Sequence, residues 1–187
     1  MKLCPKCKSS DIFFYTGGIF NSYMCKDCGY VGNLILEFKK LPRFKDGRIN
    51  YSNSNRAPTI NCFVKYKNKI LLLKRSSKVK NYKEKWSSVA GYIDEDKTLK
   101  EKSLEEIKEE LDIKENNVLS MKIGKPIKIY DKKIKKAWLI HPVLIELKDK
   151  PKIKLDFEHT EYRWIYPKEI RKFDILPFLE KSLKRVL

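Results

Sequence analysis

Two pairs of closely spaced cysteines constrain the first part of this 187-residue chain more than any other feature. The pairs are Cys4-Pro5-Lys6-Cys7 and Cys25-Lys26-Asp27-Cys28, with seventeen residues between them. Each pair makes a tight turn that can direct two thiolates at one ion, and this spacing is typical of a four-thiolate zinc site. A thioredoxin-type redox centre needs only one such pair. Two disulfides are the alternative, which a reducing compartment disfavours.

Short strand-like segments surround these cysteines. Residues 12–15 (IFFY) and 30–38 (YVGNLILEF) have the composition of strands, and the TGG of residues 16–18 favours a turn. Residues 1–38 resemble a small zinc ribbon of the rubredoxin-like kind. Four thiolates leave no open coordination position, so the resemblance implies structural rather than catalytic zinc. Binding nucleic acid, joining subunits and supporting a neighbouring domain all remain open as roles for the ribbon.

The charge of the chain limits its partners only loosely. A formal net charge of +18 favours anionic partners such as phosphates, nucleotides or RNA, although it also serves solubility. No apolar run reaches the ~18–20 residues of a membrane span. The N-terminal MKLCPKCK shows no hydrophobic signal segment. We therefore expect no membrane insertion and a reducing, cytoplasmic location.

The remainder of the chain divides into a connector and a larger domain. Residues 39–57 are polar, contain turn-forming residues and show no clear periodicity, so we interpret them as a linker. Residues 58–187 contain strand and helix patterns in alternation. A hairpin split at Lys67-Asn68, strands over 137–147 and 161–166, and a terminal helix over 174–187 capped by Asp174 are expected. This order predicts an α+β fold, a mixed α/β/α sandwich.

A helix with an acidic face lies at the centre of this domain. Thr98-Leu99-Lys100-Glu101 has the form of a capping box, so we expect the helix to begin at Leu99. An apolar stripe follows at helical spacing, formed by Leu99, Leu104, Ile107 and Leu111. On another face lie Glu106, Glu109 and Glu110, which are either a solvated acidic surface or a metal site.

The segment from Gly91 to Ile113 resembles the Nudix box of the Nudix hydrolases. The family pattern is G-x5-E-x7-R-E-U-x-E-E-x-G-U, where U is a bulky aliphatic residue. This chain matches the pattern at Gly91, Glu106, Ile107, Glu109, Glu110 and Ile113. The resemblance extends over residues 58–187, and a preceding zinc ribbon is similar in domain order to the NADH pyrophosphatases. It therefore implies a Nudix α/β/α sandwich preceded by the ribbon.

Three positions of the box depart from the family pattern. Lys97 stands where the family has Glu, and Glu105 stands where it has Arg. We read this as a charge swap and expect the two side chains to pair across the loop–helix junction. Asp112 replaces a glycine at the end of the helix, where left-handed backbone is expected. Asp tolerates that geometry better than most residues.

The resemblance implies a metal-dependent reaction. Glu106, Glu109 and Glu110 correspond to ligands of a catalytic Mg²⁺ or Mn²⁺, which polarises a phosphate oxygen and lowers the pKa of bound water. The general base of the family varies, and Glu158 or Glu161 in the later EHTEY segment is our candidate. Plain surface charge is the alternative for both.

Substrate contacts are less constrained. Lys74 and Arg75 follow a strand and could hold a phosphate, while Tyr92 and Tyr130 could stack on a base. We expect hydrolysis of the pyrophosphate bond of a nucleoside diphosphate linked to another moiety, such as a sugar or a second nucleotide. The alternatives are a non-catalytic nucleotide- or RNA-binding protein and a pyrophosphohydrolase of RNA 5′ ends. A homodimer is a further expectation from the family.

Overall fold

The computed structural model describes residues 2–15, 22–33, 35–37 and 41–187. The chain divides into two compact units, Met1–Pro42 and Arg43–Leu187. This boundary falls inside the segment 39–57 that the sequence predicts as a linker. No helix in the described part of the chain is long and apolar enough to cross a membrane.

The first unit is built from very short strands. Its described part contains β1 (Lys2–Leu3), β2 (Ile12–Tyr15), β3 (Ser22–Cys25), β4 (Val31–Gly32) and β5 (Leu36–Glu37). Strands β2, β3 and β4 form one antiparallel sheet, and β1 pairs separately with β5. The predicted strand at 12–15 is confirmed, and the pattern over 30–38 yields two short strands rather than one. The predicted turn at 16–18 lies outside the described residues.

The second unit contains a mixed sheet. Its described residues contribute eight strands: β6 (Arg56–Tyr66), β7 (Lys69–Arg75), β8 (Trp86–Ser87), β9 (Val89–Tyr92), β10 (Val118–Ile123), β11 (Ile127–Asp131), β12 (Lys136–Leu147) and β13 (His159–Ile165). The central order is β10-β12-β6-β7-β13. Strand β12 runs parallel to β6, and the other pairings are antiparallel. The hairpin predicted around Lys67-Asn68 is confirmed as β6 and β7.

A helix covers each face of this sheet, which confirms the predicted sandwich. Helix α1 (Leu99–Leu111) packs on one face through Ile107 and Leu111, against a cluster that includes Ile60. The short helix α2 (Leu179–Leu183) packs on a second cluster centred on Phe63. Two 3₁₀ helices, Glu115–Asn117 and Pro167–Lys172, complete the helical elements of the described chain.

Helix α1 begins and ends as its sequence predicts. The side-chain oxygen of Thr98 accepts the backbone N–H of Glu101, whose carboxylate in turn accepts the backbone N–H of Thr98 at 2.8 Å. Asp112 terminates the helix in left-handed geometry, with φ of 57°. These signals fix the rotation of the helix, and therefore decide which glutamates face the sheet.

The predicted start of the terminal helix is wrong. The Trp86 N–H donates to the carbonyl of Asp174, and the Leu176 N–H donates to the carbonyl of Trp86, both at 2.9 Å. These two hydrogen bonds keep the segment extended. Leu176 precedes a proline, which also disfavours helical backbone. The helix therefore begins only after Phe178, whose φ is 72°. Asp174 pairs with Lys85 instead of capping the helix.

Part of the predicted linker packs on the second unit. Tyr51 is buried, and its carbonyl accepts a hydrogen bond of 2.7 Å from Lys136 Nζ. The N–H of Ile49 donates to the carbonyl of Asp94 at 2.8 Å. Residues 49–51 therefore lie against the segment that leads from β9 into α1.

Candidate active site

The site begins with a close approach between β9 and α1. A Cβ atom at Gly91 would lie only 2.0 Å from Glu106 Oε1, so no larger residue fits there without moving the glutamate. The missing side chain makes room for the Glu106 carboxylate to lie directly against the strand. A larger residue at this position would therefore displace the end of the Glu106 side chain.

Glu106 is nearly buried and is compensated by a buried lysine. Lys102 Nζ lies 2.9 Å from Glu106 Oε1, with only 7% of the lysine side chain exposed. Burial raises the pKa of Glu106, the ion pair with Lys102 opposes this, and the neighbouring charge of Glu109 adds to the increase. Lys102 thus supplies Glu106 with a fixed positive partner that water cannot easily replace.

This ion pair is one end of a row of alternating charges. Lys97 Nζ lies 2.8 Å from Glu95 Oε2 and 2.8 Å from Glu105 Oε1. The second oxygen of Glu105 lies 3.0 Å from Lys102 Nζ. The predicted pair between Lys97 and Glu105 is confirmed, and it continues through Lys102 to Glu106. We call this set, Glu95, Lys97, Glu105, Lys102 and Glu106, the charge row.

Glu110 is the most buried carboxylate of the site, at 5% exposure. Its Oε1 accepts the backbone N–H of Ala90 at 3.4 Å, and no hydrogen bond from the described residues reaches Oε2. Burial raises the pKa of Glu110 well above its usual value, and the charges of Glu106 and Glu158 raise it further. A buried carboxylate with an unpaired oxygen is costly unless a cation or proton accompanies it.

His159 faces this carboxylate from β13. Its Nδ1 lies 3.6 Å from Glu110 Oε2 and 3.4 Å from Asp156 Oδ1, and none of the described residues hydrogen-bonds to either ring nitrogen. Burial lowers the pKa of His159 to about 4, so the ring is neutral near pH 7.

The other sequence candidates for catalysis lie in different environments. Glu109 is exposed, and its charge acts on Glu106. Burial raises the pKa of Glu158, Asp156 raises it further, and Arg75 opposes the increase. Glu161 instead forms an ion pair of 2.7 Å with Arg163 at the surface. Glu109 and Glu158 are therefore electrostatically coupled to the buried carboxylates, while Glu161 has Arg163 as its partner.

The two cations that could hold a phosphate, Arg75 and Lys74, also lie in different surroundings. Arg75 lies opposite His159 in the β7–β13 pairing, and its charge lowers the pKa of both Glu158 and His159. Lys74 points to Glu84, with 3.6 Å between Nζ and the carboxylate. Arg75 is therefore the nearer of the two cations to the buried carboxylates.

Tyr92 lies in an aromatic group that the sequence did not indicate. Its ring stacks on Tyr51 at 5.7 Å between centroids and lies 6.0 Å from Trp138. Lys136 Nζ is 5.4 Å from the Tyr92 ring and 5.1 Å from the Trp138 ring. Tyr92 remains 39% exposed, whereas Tyr130 is 57% exposed and lies on β11 opposite Ala137. Three distant segments build this group, so no local pattern could predict it.

The donor set of the site suits a hard divalent cation. Glu106 and Glu110 present carboxylate oxygens from successive turns of α1, and Glu109 and Glu158 lie close enough to act on them electrostatically. Carboxylate oxygens are the ligands that Mg²⁺ and Mn²⁺ favour. The unpaired Oε2 of Glu110 is the kind of buried atom that a bound cation would satisfy.

A separate group of potential metal ligands lies in the first unit. The Sγ atoms of Cys4, Cys7, Cys25 and Cys28 all lie within 4.8 Å of one another. Cys4 Sγ is 3.6 Å from Cys28 Sγ, and Cys7 Sγ is 3.5 Å from Cys25 Sγ. All four are free thiols, as is the buried Cys62. The cluster could hold a metal ion, and the disulfide alternative does not apply to it.

A NUDIX domain family model matches residues 55–186, more than half of the chain. The chain belongs to the Nudix family. Residues 55–186 therefore form a NUDIX domain. The buried carboxylates described above lie in the part of the chain that resembles the Nudix box.

Solved structures share this Nudix fold. A MutT protein from Methanosarcina mazei Go1 is 22% identical, covering 70% of this chain and 91% of its own, with a TM-score of 0.57. An Ap4A hydrolase from C. elegans is 18% identical over 69% of this chain and 93% of its own, with a TM-score of 0.56. A NUDIX hydrolase from Nitrosomonas europaea is 22% identical over 99% of this chain and 89% of its own, with a TM-score of 0.52.

One curated relative is similar over a short stretch. An uncharacterized protein from Archaeoglobus fulgidus is 51% identical over 35 residues, which is 19% of this chain. The chain spans about half the length of that relative, at 49%.

The charge row makes a prediction about stability. Lys97→Glu should lower the melting temperature, because the new carboxylate would face both Glu95 and Glu105. Adding Glu105→Arg should restore only part of the loss, since position 97 would still face Glu95 and the new arginine would face Lys102. Thermal unfolding of the two variants measures this, with Lys100→Glu as a control on the exposed side of the helix. A double variant less stable than the single one would contradict the pairing.

The approach of Gly91 to Glu106 makes a second prediction. Gly91→Ala should displace the Glu106 carboxylate and weaken Mn²⁺ binding by about 10- to 100-fold, the range typical of lost support around a metal ligand. Isothermal titration calorimetry with MnCl₂ measures this affinity. Gly124→Ala is the control, because its Cβ would meet the carbonyl of Arg185 at 2.7 Å, away from the carboxylates. Equal affinity in both variants would contradict the prediction.

Proposed function

We propose that this Nudix domain is a metal-dependent hydrolase that cleaves the pyrophosphate bond of a nucleoside diphosphate linked to another moiety. The observation that carries the proposal is the buried Glu110, whose Oε2 lacks a hydrogen bond from the described residues. Burial raises the pKa of Glu110, and the charges of Glu106 and Glu158 raise it further. A buried carboxylate does not contribute to solubility, so a surface role does not explain Glu110. A divalent cation would balance it.

Glu106, Glu109 and Glu110 are the proposed ligands of Mg²⁺ or Mn²⁺. The ion would polarise a phosphate oxygen and make a water molecule more acidic. Lys102 holds one oxygen of Glu106 and leaves the other available as a ligand. Glu109, which is exposed, would reach the ion from the solvent side of the helix.

Glu158 is the proposed general base. It is half-buried, its pKa is raised first by burial, and its charge acts on Glu110. A base with a raised pKa is better matched to accepting a proton from the attacking water near neutral pH. Glu161 is the weaker candidate, because its carboxylate already forms an ion pair with Arg163 at the surface.

Substrate binding is proposed for residues on two sides of the carboxylates. Arg75 would hold a phosphate, and Tyr92 would stack on the base beside Trp138. Lys74 and Tyr130 remain proposed contacts, although Lys74 pairs with Glu84. An Ap4A hydrolase among the similar folds agrees with a dinucleotide substrate, at 18% identity. A homodimer and a cytoplasmic location also remain predictions.

For the first unit, we propose that the four clustered cysteines hold a structural zinc ion. Zinc is supported by the all-thiolate donor set and by the mutual distances within 4.8 Å. Because the strands of this unit are so short, metal binding would supply much of its folding free energy.

Glu110→Gln tests the hydrolase directly. Turnover of ADP-ribose, NADH, diadenosine tetraphosphate or capped RNA should fall about 100-fold or more, since metal-ion catalysis supplies several kcal/mol. The same change should raise the melting temperature in EDTA at neutral pH. A carboxylate with a raised pKa destabilises the fold as pH rises through that pKa, and Gln carries no charge.

The control is Glu115→Gln, an exposed carboxylate just beyond α1. It should leave both turnover and melting temperature unchanged. Two outcomes would contradict the proposal: turnover that survives in Glu110→Gln, or a wild-type protein that hydrolyses none of these substrates with either metal.

Cys25→Ser tests the zinc proposal. Loss of one thiolate should release zinc from the purified protein, as measured by mass spectrometry of its metal content, and should unfold the first unit. Cys62→Ser is the matched control, because Cys62 is buried in the core of the second unit. Equal zinc content in the two variants would overturn the assignment.

A further inference from the structure

A basic cavity of about 280 Å³ lies between residues 80–85 and residues 133–134, and it has no role in the function proposed above. Four lysines line it, together with Tyr82: Lys80, Lys83, Lys85 and Lys133. We call it the lysine cavity. A water molecule occupies about 30 Å³ in the liquid, so the cavity can hold a group with several oxygen atoms.

Two segments far apart in sequence form the walls. Residues 80–85 follow β7, and Lys133 lies in the turn between β11 and β12. Tyr82 donates a hydrogen bond of 2.5 Å to Asp131 Oδ2, and Lys133 Nζ lies 5.1 Å from the Tyr82 ring centroid. Asp131 is buried and also accepts the N–H of Lys133 at 3.0 Å. The walls are therefore held in place by a specific contact.

The backbone of both walls adopts unfavourable geometry. Tyr82, Glu84 and Lys135 have φ values of 55°, 62° and 52°, which non-glycine residues rarely adopt. Such strain tends to collect at ligand-binding sites, where surrounding contacts enforce it.

Three of the four lysines of the cavity, Lys80, Lys83 and Lys133, are exposed and have no ion-pair partner among the described residues. Lys85 pairs with Asp174, but no carboxylate of the described residues lies within ion-pair distance of Lys80, Lys83 or Lys133. Burial lowers the pKa of Lys136, and the positive charge of Lys80 lowers it further. An ordered anion is the partner that this arrangement lacks.

Arg75 connects the cavity to the carboxylates. Its N–H donates to the carbonyl of Lys85 at 2.9 Å, its carbonyl accepts the N–H of Glu84, and its Nε donates to the carbonyl of Asn81. On its other side, its charge acts on Glu158. Arg75 therefore contacts the wall of the lysine cavity and also acts electrostatically on the proposed general base.

We propose that the lysine cavity binds phosphate groups of the substrate that lie beyond the bond being cleaved. The inference rests on the proposed hydrolase and specifies its substrate class as one with an extended anionic part. Two sources share this chemistry: the polyphosphate chain of a dinucleotide, and the sugar–phosphate backbone at an RNA 5′ end. Arg75 would hold the phosphate between the metal and the cavity.

Binding is measured in the zinc-loaded Glu110→Gln background without added Mg²⁺ or Mn²⁺, so that neither turnover nor a catalytic metal contributes. The probes are inorganic tripolyphosphate and a single-stranded oligoadenylate with a 5′-monophosphate, each titrated by calorimetry. Lys80→Ala/Lys83→Ala should weaken binding about tenfold or more, as expected for lost charge-assisted contacts. Lys69→Ala/Lys168→Ala removes the same charge near the other end of β7 and should change binding less than about twofold.

Each outcome decides the proposal. If Lys80→Ala/Lys83→Ala weakens the binding of both probes, the result supports a shared phosphate site. Weaker binding of tripolyphosphate alone assigns a polyphosphate chain, and weaker binding of the oligonucleotide alone assigns an RNA backbone. Equal weakening by the control pair, or none in either pair, overturns the proposal. Unfolding curves matching the parent establish that the variants are folded. Absence of hydrolysis in the wild-type protein would overturn the proposed function but would leave this binding result intact.

Discussion

The burial of two carboxylates next to each other is the constraint on which the rest of the second unit depends. Glu106 and Glu110 lie one turn apart on α1, both nearly buried, and each charge raises the cost of the other. Breaking a buried ion pair costs about 3–5 kcal/mol, so the contact of Lys102 with Glu106 is essential to the arrangement. The charge row extends that compensation to the surface at Glu95.

The fold supplies the remaining conditions for this site. The capping box at Thr98 sets the rotation of α1, and Gly91 leaves space for Glu106 against β9. His159 lies beside Glu110, and the pairing of β13 with β7 places Arg75 opposite His159. In the family pattern a glutamate and an arginine stand at positions 97 and 105, and here their reversed charges pair at 2.8 Å. The departure from the pattern is therefore compatible with intact carboxylate geometry.

Local sequence signals predicted the parts of this structure that depend on near neighbours. The limits of α1, the left-handed Asp112, the pair of Lys97 with Glu105 and the cysteine cluster all follow from residues close together or from fixed spacings. The errors and omissions involve distant contacts. The terminal helix begins late because Trp86 binds the backbone of Asp174 and Leu176. Lys136 meets Tyr51 across 85 residues, so no pattern in either segment could indicate the aromatic group.

A crystal structure with Mn²⁺, located by its anomalous scattering, tests the central claim most directly. The account predicts one ion in the second unit, within about 2.0–2.6 Å of carboxylate oxygens from Glu106 and Glu110, with Lys102 still on the other oxygen of Glu106. A second unit with no Mn²⁺, or with the ion bound away from Glu110, would contradict it. In that case the buried carboxylates would be held by protonation and by Lys102 alone, and the proposed hydrolase would lose its basis.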